Sequence, residues 1–422
     1  MFRQENPPEI SNHQDQIEKV RALVKEGGID TVVSKLQEEG LLETMISETK
    51  KKYTKEGSEN YERNLATSEF LTDQDWKLIS LMDFFDSETA EHEIRVFNIA
   101  HDHLSKSAFV PVSKKTVDGK IYEKGYSVSL EEIFEHEGVL KEHFLRAALH
   151  HDIGKIDVPT IVLMNKTTDK EWLDIISNTI REGDSSLSEK LSQELGVDVK
   201  ELFLASISVE KFEEEITAIM KEKGCRAKDI VPIRYSLSQE GVAELEKKGF
   251  SLDRTLADII QVHEERSGDI LRNEGFDVEA ELAENHHNYN YHNLQKEKEV
   301  NKPISIGALV LSVCLTDILH IADVEQAMQA KRAYKSALGP FETWSSICDL
   351  AEQGKVSKEV AYLWLKSEID EMGVENYQKN KEEYQEEQAR VEHFLQSEED
   401  VVWGILEAFG LGLETEAREK SF

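Results

Sequence analysis

The stretch His150-His151-Asp152-Ile153-Gly154-Lys155 puts two imidazoles, a carboxylate and an ammonium at one helix end. Metal binding is the chemistry these residue types share. Neighbouring side chains on a helix diverge by about 100°, so His151 and Asp152 can serve one cluster from adjacent directions, with Lys155 just past the Gly154 break. Among 14 His and 84 acidic residues such a pair also arises by chance as a polar helix end, so other donors at helical spacing must decide. They follow in order. Glu88 and His92 stand four apart on one helical face, with Val96, Ile99 and Ala100 for its core side. His263 ends the apolar run Ile259-Ile260-Gln261-Val262, His286 and His287 are adjacent, and Asp323 follows Ile321-Ala322. Nitrogen and oxygen donors without sulfur suit iron or manganese in a two- or three-metal cluster better than a structural zinc site.

With these motifs in this order, the chain resembles the HD superfamily of metal phosphohydrolases, and within it the HD-GYP branch. His150 to Pro159 is similar to that branch's His-Asp segment, and Ala322-Asp323-Val324 with Arg332-Ala333-Tyr334-Lys335 is similar to its last-ligand segment. The resemblance covers about residues 76–164 and 251–369. It implies a helical bundle, a centre of two or three divalent ions, and hydrolysis of cyclic di-GMP. By resemblance the metal ligands are Glu88, His92, His151, Asp152, His263, His286, His287 and Asp323, with Glu88 as the extra carboxylate of trinuclear members. Lys155 matches the phosphate-side lysine and Arg332 with Lys335 the pair that binds substrate phosphate, so Asp152 and Lys155 are the expected catalytic residues. The chain departs from the branch in three places. No Gly-Tyr-Pro follows His287, Gln326 stands where a second Asp is usual, and the gap before His263 is longer by about a small subdomain. Asp317 competes with Asp323 for the last ligand position, but only Asp323 has Arg332 and Lys335 at the matching distance behind it.

Two metal ions about 3.5–4 Å apart can hold a bridging hydroxide and neutralise phosphate oxygens during in-line attack, with the protein mainly positioning. Opening of a cyclic dinucleotide, cyclic di-GMP first, is therefore the expected reaction. Two other readings stand beside it: an HD-type phosphohydrolase for another nucleotide or phosphoester, and a catalytically silent nucleotide-binding signalling protein.

Around the ligands, the chain must supply helices to carry them. The expected class is all-α. Residues 1–75 repeat apolar positions at helical spacing (Ile17, Val20, Leu23, Val24; then Val32, Val33, Leu36) and read as a helical cover or docking module. Asp73 to Trp76 has the look of a helix start and opens the metal domain, 76–164 and 251–369. Val117-Asp118-Gly119-Lys120 inside the alternating run Lys114 to Val128 predicts a small β-hairpin. Residues 165–250 read as an inserted, mostly helical subdomain with a short strand-like run, Val231 to Tyr235; Ile304 to Ile321 reads as one apolar helix. Trp344 to Ile369 reads as two amphipathic helices, and 370–422 as a helical tail in which Tyr377, Tyr384 and Val391 stand seven apart.

Composition bounds the partners. With 50 Lys and Arg against 84 Asp and Glu, the formal charge is −34, which argues against long nucleic acid and for a small anionic nucleotide drawn to a locally positive site. Cys225, Cys314 and Cys348 show no paired spacing, as expected for reduced thiols in the cytoplasm. The start carries no signal-like apolar run, and no stretch is long enough to span a bilayer, so no membrane is expected. The terminal helices and the inserted subdomain are the surfaces left for a homodimer or a protein partner.

Overall fold

Residues 13–54, 70–117, 120–132, 141–165, 167–288, 304–306, 309–311, 315–330, 337–373, 376–377, 384–409 and 416–419 are described by a computed structural model. The chain is all-α with minor β structure. It opens with α1 (His13–Glu26), α2 (Ile29–Glu38), α3 (Leu42–Tyr53), α4 (Asp73–Phe85) and α5 (Ser87–Ser105), then β1 (Ser107–Val117), β2 (Lys120–Ser129) and α6 (Lys141–His150). The helices α7 (Thr160–Leu163), α8 (Asp169–Arg181), α9 (Ser185–Leu195), α10 (Val199–Ala205), α11 (Val209–Glu222), α12 (Ala227–Ile230) and α13 (Gln239–Lys247) follow. Next come α14 (Leu256–Asn273), α15 (Asp277–Glu284), β3 (Ile304–Ile306), β4 (Leu309–Leu311) and α16 (Leu315–Gln329). Last are α17 (Pro340–Glu352), α18 (Lys358–Met372), α19 (Gln385–Phe409) and β5 (Glu416–Glu419). Among the described residues no helix is long and apolar enough to cross a membrane.

Two compact units divide the chain. The first comprises residues 1–21, 32–153 and 267–422, the second 22–31 and 154–266. The stretch expected as an insertion, 165–250, lies inside the second unit, which begins earlier and ends later.

In the first unit, α4 starts where Thr72 caps it. The Thr72 N–H donates to Asp75 Oδ2 at 2.7 Å while the Asp75 N–H donates to Thr72 Oγ1 at 3.4 Å, a reciprocal cap that satisfies two otherwise orphan donors. Ile94, Phe97 and Ala100 on α5, Phe144, Ala147 and Ala148 on α6, and Ile318, Leu319 and Ala322 on α16 are buried in one core. Trp344, Trp364, Tyr362 and Phe341 close that core from α17 and α18, each burying enough apolar area to contribute about 2–3 kcal/mol. The tail packs on its own unit. Tyr377, Val391 and Phe394 are buried in the same core, and Tyr384 lies against the Phe341 ring at 5.6 Å.

The hairpin read in the sequence is present and longer than Lys114 to Val128. β1 and β2 pair antiparallel from Ser107↔Ser129 to Val117↔Lys120, and β5 adds a third strand along β2. Asp118 and Gly119, the expected turn pair, lie outside the described residues. At Gly125, opposite Pro111, a Cβ would meet the Val110 carbonyl oxygen at 2.2 Å, so only glycine lets the two strands approach there.

One helix expected from sequence is shorter than its apolar run. Residues 304–306 and 309–311 form two short antiparallel strands, and the helix begins only at Leu315. Ile304, Ile306 and Val310 are β-branched and stiff at χ1, which favours extended backbone over a helix start.

The second unit has its own core, in which Trp172 and Ile176 of α8, Leu187 and Leu191 of α9, and Phe212 and Ile216 of α11 are buried. Thr168 and Glu171 form a reciprocal cap on α8. The run Val231 to Tyr235, expected as a strand, is a 3₁₀ turn at Ile233–Tyr235, joined to Thr255 by a single antiparallel bridge from Pro232. Pro232 explains the change: it donates no backbone hydrogen bond and its fixed φ begins a turn.

Candidate metal centre

The sequence motifs of the first unit converge on one cluster. α6 buries Phe144, Leu145, Ala147, Ala148 and Leu149, which fixes the rotation of its C-terminal end, where His150, His151 and Asp152 follow. The two imidazoles then part, as adjacent helical residues must. His150 Nε2 lies 3.1 Å from Asp75 Oδ1, while His151 turns toward Asp152, Asp323 and His92. Arg146 joins the first group, its Nε donating to Asp75 Oδ1 at 2.9 Å and its Nη1 to Glu279 Oε1 at 3.0 Å. Burial alone would raise the Asp75 carboxyl, but His150, the Thr72 N–H and the Arg146 charge outweigh it and hold it at about 2.

His151 is completely buried, and its Nδ1 lies 2.9 Å from the Ala148 carbonyl oxygen. A carbonyl only accepts, so Nδ1 carries the proton and Nε2 presents its lone pair. That Nε2 has no hydrogen-bond partner among the described residues and faces two carboxylates, Asp152 Oδ2 at 3.6 Å and Asp323 Oδ1 at 4.0 Å. Burial pushes the imidazole pKa down despite the charges of Asp152 and Asp323, which favours a neutral ring whose Nε2 could serve as a ligand. His286, at the end of α15, repeats the device: its Nδ1 donates to the Ala283 carbonyl at 2.6 Å, and its Nε2 lies 3.9 Å from Asp152 Oδ1. These buried nitrogen and oxygen donors face one another in an arrangement that could hold a cation.

His92, on α5, reaches the same place from the opposite side. Its Nδ1 donates to Gln326 Oε1, and its Nε2 stands 3.0 Å from Asp323 Oδ1 and 3.5 Å from Asp152 Oδ2. Gln326, placed where the resembled branch usually has an Asp, is thereby the residue that orients His92. Burial opposes ionisation of Asp323, yet the hydrogen bond and charge of His92 hold it well below the usual carboxylate range.

Within the first unit three sets of donors lie within 4.8 Å of one another: His92, His151 and Asp323; His151, Asp152 and His286; His287, His320 and Asp323. Each is two imidazoles and one carboxylate, a donor set that suits a divalent transition metal with open positions. These buried groups can hold a metal ion, and the tied Nδ1–H groups are the outer-shell bonds such ligands use.

Of the expected metal ligands, His92, His151, Asp152, His286, His287 and Asp323 come together here. Glu88 does not: it is exposed in the first turn of α5, where its N–H is capped by Asp86, and it enters none of the three sets. Asp317, the rival of Asp323, is buried elsewhere and accepts the Ser357 N–H at 2.8 Å at the start of α18. His263 and Lys155 belong to the second unit. There His263 is buried with its Nδ1 donating to the Ile260 carbonyl at 2.6 Å, and Lys155 is half-buried in the 3₁₀ turn Ile153–Asp157. Arg332 and Lys335 lie outside the described residues. His320 was missed by sequence reading, although a signal existed. It stands three residues before Asp323, on the same helical face, within the apolar run Ile318-Leu319-His320-Ile321.

Comparison with protein-family models, with curated proteins and with solved structures finds no match to this chain.

Proposed function

We propose that the chain is a metal-dependent phosphodiesterase of the HD type that opens a cyclic dinucleotide, cyclic di-GMP first among candidates, in the cytoplasm. One observation carries the reading: the buried His151 Nε2, its tautomer set by the Ala148 carbonyl, faces the Asp152 and Asp323 carboxylates and has no hydrogen-bond partner among the described residues. Two or three divalent ions, iron or manganese, answer that arrangement. When bound, such ions acidify water and neutralise phosphate oxygens.

The chain's own residues hold and orient. Gln326 fixes the His92 ring, the Ala148 and Ala283 carbonyls fix His151 and His286, and Asp152 and Asp323 balance the charge of the ions. The resemblance assigns a further ligand position to His263 and phosphate recognition to Lys155, Arg332 and Lys335. With a formal charge of −34, an anionic substrate needs such local cations.

The test is hydrolysis of cyclic di-GMP by the metal-loaded chain and its Asp152→Ala variant. Turnover in the first, with at least a 10³-fold loss in the second, supports the reading. Turnover that survives Asp152→Ala, or no phosphoester hydrolysed at all, contradicts it. A second reading, hydrolysis of another nucleotide or phosphoester at the same centre, is favoured by the absence of Gly-Tyr-Pro after His287. Activity in a nucleotide screen without turnover of cyclic di-GMP selects it.

A further inference from the structure

The resemblance places the extra ligand of a trinuclear centre on Glu88; the structure offers a different residue. Glu88 is exposed and joins no donor set, whereas His320 is 4% exposed and sits with His287 and Asp323 inside one. His320 and Asp323 are three apart on α16, so both project from one face of that helix. His287 approaches from the end of α15, its ring edge-on to His320 with centroids 6.0 Å apart and an interplanar angle of 84°.

The set His92, His151, Asp323 and the set His287, His320, Asp323 share only the Asp323 carboxylate. An imidazole nitrogen has one lone pair and serves one ion, but a carboxylate has two oxygens and can bridge two. The sets built on His151 therefore describe faces of one ion position, and the set containing His320 describes another. Bonds of about 2.1 Å put neighbouring ligands of one ion about 3–3.5 Å apart, so donors within 4.8 Å of one another close by at most about 2 Å to share an ion.

We propose that His287, His320 and Asp323 hold a divalent ion of their own, with Asp323 bridging to the ion between His92, His151 and Asp152. The inference rests on the reading of this cluster as a metal centre and gives its extra ion to His320 rather than Glu88.

Metal-free full-length chain is loaded with Co²⁺ without oxygen, desalted and counted by elemental analysis, for wild type, His320→Gln, His320→Phe, Glu88→Gln and His92→Ala. Circular dichroism of the metal-free proteins checks folding, and the two His320 variants back each other, Phe keeping ring volume in the apolar surroundings. The expected result is one ion per chain fewer in both His320 variants, an unchanged count in Glu88→Gln, and retention of the His320 ion in His92→Ala. Wild-type counts in folded His320 variants overturn the proposal and leave the hydrolase reading standing. A single wild-type ion, lost with His320 and kept in His92→Ala, supports the site while sinking the hydrolase centre. No bound ion in the wild type overturns both.

Discussion

At the scale of residues, the tautomer of each imidazole decides which nitrogen can serve as a ligand. His151 and His286 are both held by a hydrogen bond from Nδ1 to a carbonyl three residues earlier, so the local helix end selects the tautomer before any ion arrives. His92 has no such carbonyl and borrows Gln326. Gln326→Ala should therefore weaken metal affinity 10–100-fold without changing the number of ions bound at saturation, as a Co²⁺ titration would read. Fewer ions at saturation would instead make Gln326 a ligand. Motif order in the sequence brought out His92, four residues after Glu88, with the adjacent pairs His151-Asp152 and His286-His287 and then Asp323, and the resemblance to the HD superfamily assigned them as ligands. It could not tell that His150 turns to Asp75 while His151 turns to the cluster, since that depends on which face of α6 is buried. Nor could it tell Asp317 from Asp323, which the Ser357 N–H now separates. Burial pushes the Asp317 carboxyl up to about 7 against the partial opposition of that N–H. A folded pKa above the unfolded one means the stability from the protonated form is full below about pH 4 and is lost as pH rises through 7. Asp317→Asn keeps an acceptor for Ser357 and removes the titration. It should match the wild type near pH 3.5 and exceed it by about 2–4 kcal/mol at pH 8, as urea unfolding at the two pH values would show. Equal stabilities at pH 8 would refute the raised Asp317 carboxyl.

At the scale of elements, the start of α4 was legible from Asp73 to Trp76, and Thr72 completes it with a reciprocal cap; Thr168 and Glu171 form the same cap on α8, a signal of residue types that the sequence reading passed over. The hairpin was legible from its turn pair, but its length was not: Ser107 to Val110 continue β1 into the core because Ala108, Phe109 and Val110 are buried there. Gly125 is the residue on which that ribbon depends. Gly125→Ala would place a Cβ 2.2 Å from the Val110 carbonyl, and the strands must part or bend to admit it. A loss of about 1–3 kcal/mol is expected in chemical unfolding, with the metal count unchanged; a neutral substitution would mean that the strands do not approach this closely. Residues 304–311 misled because apolar content alone does not distinguish a buried helix from short β-branched strands. Val231 to Tyr235 misled for the same reason, and there Pro232 was the overlooked signal.

At the scale of the molecule, the chain is two units with separate cores, one from Tyr53 to Val402 and one from Val158 to Ile259. Composition established that a sizeable core is affordable and that the surface is acidic, yet composition cannot place a contact boundary inside a helix such as α14, after Arg266. Lys155, His263, Arg332 and Lys335 remain assigned by resemblance. Asp152 and Asp323 lie among imidazoles in groups that could hold a metal ion, so ions bound there should stabilise the fold as ligands that bind the native state do. Removing them with a chelator should lower the thermal midpoint, and re-adding Mn²⁺ should restore it, by the equivalent of about 3–4 kcal/mol at 10²–10³ times the dissociation constant. The most direct test of the central claim is the metal content of the chain purified without oxygen, compared with His151→Ala and, as the neighbouring control, His150→Gln. Two or three iron or manganese ions per chain, depleted in His151→Ala and kept in His150→Gln, is the predicted result; a wild type without metal, or His151→Ala with a full complement, would contradict the account.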